Sequence, residues 1–185
     1  MTEALPPPAS PLAGKPTSAA RSTLSRIMTV LDTNLLGTVH GGVVMKLVDD
    51  VAGVVAQRHS GGAAVTASMD EMVFLEPVRV GDLVHAAAQV NWAGRTSMEV
   101  GVRVEAENPL SGRKVHTSSA YLVYVALDEQ GEPRPVPPVE PRTEEERQRQ
   151  VEAKLRRENR LARATAIRAA RDRSDVQETR ADHKR

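Results

Sequence analysis

Two adjacent carboxylates, Asp49 and Asp50, interrupt a nearly apolar run that starts at a Gly41-Gly42 pair and ends near His59. A helix that is apolar around most of its circumference is a buried helix. A carboxylate in such a helix is costly unless something uses or satisfies it. Held out of bulk water, such a group can move protons or attack an electrophilic carbon. At 100° per residue, Lys46, Asp50, Gly53 and Gln57 fall in one sector, and Lys46 pairs with Asp50 at i,i+4 on a solvated stripe. Asp49 stands off that stripe, flanked by Met45, Ala52 and Ala56 and close to the sector of Gly42. Val43, Leu47, Val51 and Val54 fill the deep face. Asp50 is thus accounted for. Asp49 is either a working carboxylate or one tied up in a hydrogen bond or ion pair at an interface. The turn before the helix, Asp32 to His40, is rich in Asn, Gly and Thr.

The elements that must position these groups fit one domain with tails, since single domains commonly run about 100–150 residues and the chain has 185. The absence of cysteine excludes a disulfide framework, a cysteine zinc site and a thiol nucleophile. There is no apolar run of the roughly 18 residues needed to span a membrane, and no charged-then-apolar leader. The reading is a cytoplasmic protein that uses no membrane. Four aromatic residues, Phe74, Trp92, Tyr121 and Tyr124, are too few for a nucleic-acid stacking surface. Net charge divides the chain: residues 1–141 hold 11 basic and 15 acidic groups, and residues 142–185 hold 14 and 9.

Residues 1–20, rich in Pro, Ala and Ser, read as a disordered tail. Thr23 to Leu31 offers a strand, and the helix runs from about Val39 to Arg58, stopped by Gly61-Gly62. Four strands follow: Ala64–Phe74, Leu83–Trp92, Thr96–Ala106 and Val115–Leu127. In the second, Val84, Ala86, Ala88, Val90 and Trp92 share a face. In the third, Met98, Val100, Val102 and Val104 point inward, with Ser97, Glu99, Arg103 and Glu105 outward. Short turns between them predict an antiparallel meander packed on the helix. That α+β arrangement, a sheet wrapped around one long helix, is the hotdog architecture over residues 21–140. Pro133 to Pro141 make a stiff exit linker. Residues 141–185 form a charged helix outside that fold, with Thr143 as N-cap, Glu146 completing the capping box, and a thin apolar stripe of Val151, Leu155, Leu161 and Ile167. One such unit leaves its helix half covered and its sheet edges open, which predicts a symmetric homodimer.

The segments DTNLLGTVHGG, MKLVDDVAGVVAQRH, AVTASMDEMVFLEPVRVGD and GRTSMEV, in that order between Ser22 and Pro138, resemble the hotdog acyl-CoA thioesterases. That family includes the cytosolic acyl-CoA hydrolase of brain and its single-domain bacterial relatives. The resemblance implies hydrolysis of a fatty acyl-CoA thioester, with coenzyme A entering only as part of the substrate and no cofactor. It also implies that an Asn and an Asp act together across a dimer interface; the matching residues are Asn34 and Asp49. The helical Asp is usually followed by Glu in the family, and Asp50 departs from this. Both catalytic residues lie in one domain here, so a homodimer carries two complete sites, and relatives assemble as trimers of dimers. In this chemistry Asp49 is the general base or the nucleophile. Asn34 orients water or thioester from the other subunit, and the Gly41-Gly42 helix start offers N–H groups and a positive dipole end to an oxyanion.

The resemblance also places the turn Gly94-Arg95-Thr96-Ser97 near the CoA phosphates, against its plain reading as a solvated hairpin turn. It sets Val65-Thr66 beside the acyl and pantetheine tunnel, against a plain reading as core. His40 reads as a packing residue at the helix start. No two of His40, His59, His85, His116 and His183 have metal-ligand spacing, so no metal is expected. Asp70-Glu71 reads as near the solvated face or an interface, and the basic tail, interleaved with acids, as a solvated helix. Two rivals remain: a non-catalytic acyl-CoA sensor, and an enoyl-CoA hydratase, whose usual Asp and His arrangement is missing.

Overall fold

The computed structural model describes residues 12–182, and side chains for 12–171. Strand β1 (Lys15–Pro16) pairs in parallel with β7 (Val139–Glu140). The main sheet holds β2 (Ser22–Ile27), β3 (Ala64–Phe74), β4 (Leu83–Ala93), β5 (Ser97–Glu107) and β6 (Lys114–Ala126) in the order β2-β4-β5-β6-β3, all antiparallel. Helix α1 (Gly41–Ser60) lies on one face of this sheet and α2 (Glu144–Asp182) crosses the other. Among the described residues no helix is long and apolar enough to cross a membrane.

The predicted helix and strands are present with ends moved by two residues or fewer, except that β2 stops at Ile27, four residues before the predicted Leu31. The meander holds only for β4-β5-β6. Strand β3 lies at the far edge beside β6 rather than next to β4. Periodicity identifies a strand but not its partner; the connection over residues 75–82 carries the chain from that edge back to β4.

The core is the contact of α1 with the sheet. Its deep face is Val44, Val48, Val51 and Val55, with Ala52 and Ala56 alongside, against Val84, Ala86, Ala88, Val90, Met98, Val100, Val104 and Leu122. The predicted deep face is therefore rotated: Leu47 and Val51 are buried, but Val43 and Val54 sit at the margin. Alanines on β4 admit the helix closely. Gly61, at φ 75°, closes α1 in the left-handed conformation that favours glycine. On β4 a bulge between Val90 and Trp92 breaks the alternation, so Asn91 is buried and Trp92 leaves the core face.

The disordered tail predicted to residue 20 does not extend that far, and Met1–Pro11 lie outside the described residues. Lys15 N–H donates to Pro138 O at 2.9 Å, its Nζ donates to His59 O at 2.8 Å, and Thr17 and Ala20 are buried. The proline-rich arm finds its order in the equally proline-rich exit strap, whose Val136 and Val139 are also buried.

Helix α2 starts as read: Glu146 N–H donates to Thr143 Oγ1 at 3.1 Å and Thr143 N–H to Glu146 Oε2 at 3.3 Å. Its apolar stripe does not face the sheet; Val151, Leu155, Leu161 and Ile167 are all exposed. The contact is made by Ala153, which is fully buried, and by arginines. Arg156 stacks 3.6 Å over the Tyr121 ring and pairs with Glu99 at 2.7 Å, Arg157 lies 5.3 Å over Trp92, and Arg160 pairs with Asp70. Glu99 points outward on β5 as predicted, but α2 buries it.

Candidate active site

Asp49 stands half-buried midway along α1, on the flank that turns toward β3 and β6. Tyr124 Oη donates to Asp49 Oδ1 at 2.8 Å and to the Asp49 backbone carbonyl at 2.9 Å, while Thr66 Oγ1 donates to the same Oδ1 at 2.7 Å. Thr66 and Tyr124 are cross-strand partners in the β3-β6 ladder, and a bulge follows Thr66. The register of one rung thus aims two hydroxyls at one carboxylate oxygen. Among the described residues Oδ2 receives no hydrogen bond. Burial, reinforced by the Asp49 carboxylate, raises the Tyr124 phenol well above its usual value, so it stays protonated and can only donate there. Asp50 makes the predicted exposed pair with Lys46, at 2.9 Å.

The start of α1 is built differently from the sequence reading. His40 is its N-cap: the imidazole Nδ1 accepts the Gly42 N–H at 2.9 Å. Of the two glycines assigned to an oxyanion, Gly42 has its N–H occupied, which corrects both that assignment and the packing role given to His40. An imidazole nitrogen serves as a cap acceptor in place of the usual Ser, Thr, Asn or Asp oxygen, a use that pattern alone does not reveal. Among the described residues nothing occupies the Gly41 N–H. The Phe74 ring lies so near Gly41 that a Cβ there would meet Cζ at 3.4 Å. An open pocket of about 360 Å³, lined by Val39, Val44, Phe74, Leu75 and Val78, adjoins it.

The preceding loop is held by Asp32. Its carboxylate accepts from Thr29 N–H (2.8 Å), Thr29 Oγ1 (2.9 Å) and Arg26 (2.7 Å), and its backbone carbonyl accepts the His40 N–H at 2.7 Å. The Thr29 hydrogen bonds, with Arg26 behind them, hold the Asp32 carboxyl below the usual carboxylate range. Asn34 turns back into the loop: Oδ1 accepts from Leu36 N–H (2.8 Å) and Thr38 N–H (3.3 Å), and Nδ2 donates to Thr38 Oγ1 at 2.9 Å. No hydrogen bond joins Asn34 to Asp49. Leu35 and Leu36 beside it are 105% and 88% exposed.

Gly41 and Asp49 are eight residues apart on α1, or about 12 Å at 1.5 Å per residue. One chain therefore gathers Asp49, Thr66 and Tyr124 at one place and Asn34, His40 and Gly41 at another. The turn Gly94–Ser97 adjoins the first: Ser97 aligns with Val125 and Val65, one rung from Thr66 and Tyr124. Arg95 is exposed at its tip, and a Cβ at Gly94 would meet the Trp92 ring at 2.7 Å, so the ring would have to shift. Val65 is exposed rather than core. Tyr124 was missed by the sequence reading, although an inward-facing tyrosine on an alternating strand needs a partner for its hydroxyl. No cluster of three His, Cys, Asp or Glu residues that could hold a metal exists among the described residues.

A long helix wrapped by an antiparallel sheet, with a carboxylate fixed at mid-helix, defines a hotdog enzyme. The family described as the thioesterase superfamily matches residues 36–112. The chain is 45% identical over 116 residues to an uncharacterized acyl-CoA thioester hydrolase of Bacillus subtilis, covering 63% of this chain and 67% of that one. It is 39% identical over 141 residues to the mouse cytosolic acyl coenzyme A thioester hydrolase, covering 75% of this chain but only 37% of that longer protein. Its fold superposes on a hexameric acyl-CoA thioesterase with a TM-score of 0.80 at 42% identity, covering 83% of this chain and 98% of that one. An acyl-CoA hydrolase of Staphylococcus aureus, solved with butyryl coenzyme A and coenzyme A, gives 0.79 at 34% identity, covering 84% and 95%. Alanine variants of that enzyme at an asparagine, an aspartate and a threonine have been solved, and these are separated by the same two intervals as Asn34, Asp49 and Thr66. The chain belongs to the thioesterase superfamily, among its acyl-CoA thioester hydrolases.

Proposed function

We propose that this chain hydrolyses fatty acyl-CoA in the cytoplasm, with Asp49 as the working carboxylate and no cofactor. The observation that carries this is the fixation of Asp49 through one oxygen by Thr66 and Tyr124, with the other left open. As a general base, Oδ2 takes a proton from water. The water oxygen attacks the thioester carbon, the C–S bond breaks, and the sulfur leaves with the electron pair and recovers the proton. As a nucleophile, Oδ2 attacks that carbon itself, the C–S bond breaks with the thiolate leaving, and water then hydrolyses the mixed anhydride, releasing the fatty acid, restoring the carboxylate and supplying the proton the thiolate takes up. The Gly41 N–H at the positive end of α1 receives the developing oxyanion. The apolar pocket beside it takes the start of the acyl chain, and the Gly94–Ser97 turn, with Arg95, meets the CoA phosphates. In single-turnover hydrolysis in oxygen-18 water, label in Asp49 identifies the nucleophilic route with water attacking the Asp49 carboxyl carbon; trapping of the acyl-enzyme anhydride with hydroxylamine tests that route when water attacks the acyl carbon instead.

Separation of the two groups along α1 supports a site shared between subunits: Asn34 and Gly41 from one, Asp49 and Thr66 from its partner. The open edge of β3 and the exposed Leu35 and Leu36 support a homodimer. The hexameric relative supports assembly as a trimer of dimers.

The test is thiol release from a panel of acyl-CoAs. The wild type is expected to turn over, and Asp49→Ala to lose about 10²–10⁴-fold in kcat while keeping its circular dichroism spectrum. Binding without turnover by the wild type would overturn the proposal in favour of a sensor.

A further inference from the structure

We infer that Tyr124 is a positioning residue for this hydrolysis: its hydroxyl fixes the Asp49 carboxylate so that Oδ2 alone is presented to the reacting atoms. The inference rests on the reading of Asp49 as the working carboxylate and adds to it a residue on β6, 75 positions away in sequence.

The hydroxyl of Tyr124 bridges two atoms of the same residue, the carboxylate Oδ1 at 2.8 Å and the backbone carbonyl oxygen at 2.9 Å. One phenol proton lies between the two oxygens, so the hydroxyl ties the side chain to its own helical backbone and restrains rotation about χ1 and χ2. Thr66 adds a second donor to the same Oδ1 at 2.7 Å but leaves the backbone carbonyl alone. The two donors are therefore not equivalent: Thr66 polarises the carboxylate, and Tyr124 both polarises and orients it. Tyr124 is itself held rigidly. It is only 2% exposed, it pairs with Met98 on one side and Thr66 on the other, and Gly53, one turn beyond Asp49, faces its ring: a Cβ there would lie 3.8 Å from Cε1.

A carboxylate that acts as base or nucleophile must keep one oxygen directed at its target, and a misplacement of about 1 Å can cost on the order of 10²-fold. A ring fixed by two ladders supplies that direction better than a threonine on an edge strand. Because burial keeps the phenol protonated, its donor role persists across the working pH range.

The test compares wild type, Asp49→Ala, Tyr124→Phe, Thr66→Val and the double variant Tyr124→Phe/Thr66→Val by acyl-CoA thiol release, with kcat normalised to the folded fraction from circular dichroism. Phenylalanine keeps the ring and its packing, and the normalisation keeps the result readable should some of the protein unfold. The expected result is a fall in kcat of about ten- to hundredfold for Tyr124→Phe with KM within about twofold. The double variant should lose less than the product of the single losses, because both donors act through Oδ1. Tyr124→Phe with wild-type kcat, or with its loss confined to KM, beside an inactive Asp49→Ala, would overturn the role of Tyr124 alone. A wild type without turnover, or an active Asp49→Ala, would overturn the reading of Asp49 and this inference with it.

Discussion

At the scale of single residues, a strand register leaves one oxygen of the Asp49 carboxylate unbonded among the described residues. Among the described residues every hydrogen bond to the Asp49 carboxylate converges on Oδ1, so the two oxygens of a symmetric group are made different by a strand register. His40 divides the adjacent glycines in a similar way by occupying the Gly42 N–H and leaving that of Gly41. Replacing His40 by alanine removes the cap, and a loss of about 1 kcal/mol in stability is expected, read by urea denaturation. If only the Gly41 N–H serves the oxyanion, kcat per folded molecule should change little, whereas a large loss of kcat would implicate His40 itself. The sequence made Asp49 visible because a carboxylate in an apolar helix conflicts with its surroundings. It did not make Tyr124 visible, because one tyrosine on an alternating strand conflicts with nothing until the β3-β6 register brings Thr66 beside it. Thr66 itself was read as a tunnel residue for want of that same register.

At the scale of elements, the segments around Lys15 and Pro137 are stitched to the end of α1. His59 is fully buried in the last turn of the helix, its Nε2 lies 2.8 Å from Pro137 O, and its Nδ1 has no partner among the described residues. The carbonyl makes Nε2 the protonated nitrogen of a neutral ring. Burial, opposed by the Pro137 carbonyl and reinforced by Lys15, lowers the His59 pKa below its ordinary value of 6.5. The unfolded chain therefore binds the proton more readily than the folded one. This contribution to stability is complete above pH 6.5 and is lost as pH falls below it, at no more than about 1.4 kcal/mol per pH unit for one proton. Denaturation curves from pH 7.5 to 5 should show that loss in the wild type and a flatter dependence in His59→Gln; parallel curves would assign the effect elsewhere. Strands β3 to β6 and both helices were legible because of their own periods, β-branched runs or caps, whereas the two-residue strands β1 and β7 were not. The seat of α2 was not, because its contact face is Ala153 with Arg156 and Arg160 rather than its apolar residues. Arginine stems and rings can cover as much surface as aliphatic side chains, so hydrophobicity pointed to the wrong side of this helix.

At the scale of the whole molecule, the fold separates what the chemistry must combine. Asn34 and Gly41 lie at the start of α1, and Asp49 lies two turns on, about 12 Å away. A rigid helix cannot bring its start and its middle to one thioester carbon, so on the proposed mechanism a second copy supplies the missing part. Two-fold symmetry delivers it twice, because whatever the first chain lends to the second the second returns. Asn34→Ala and Asp49→Ala should then each be inactive alone yet complement one another. In a mixed dimer one site carries both lesions and the other carries neither. Random exchange of equal amounts makes about half of all dimers mixed, each with one intact site of two, so activity should recover to about one quarter of the wild type. The variants should be mixed under mild dissociating conditions, returned to native buffer, and assayed by thiol release against each variant treated alone. Sites confined to single chains would give no recovery at any ratio, because every chain in the mixture carries a lesion. Recovery near a quarter, falling away when Leu36→Glu on the apolar loop prevents association, would tie catalysis to the pairing of two copies.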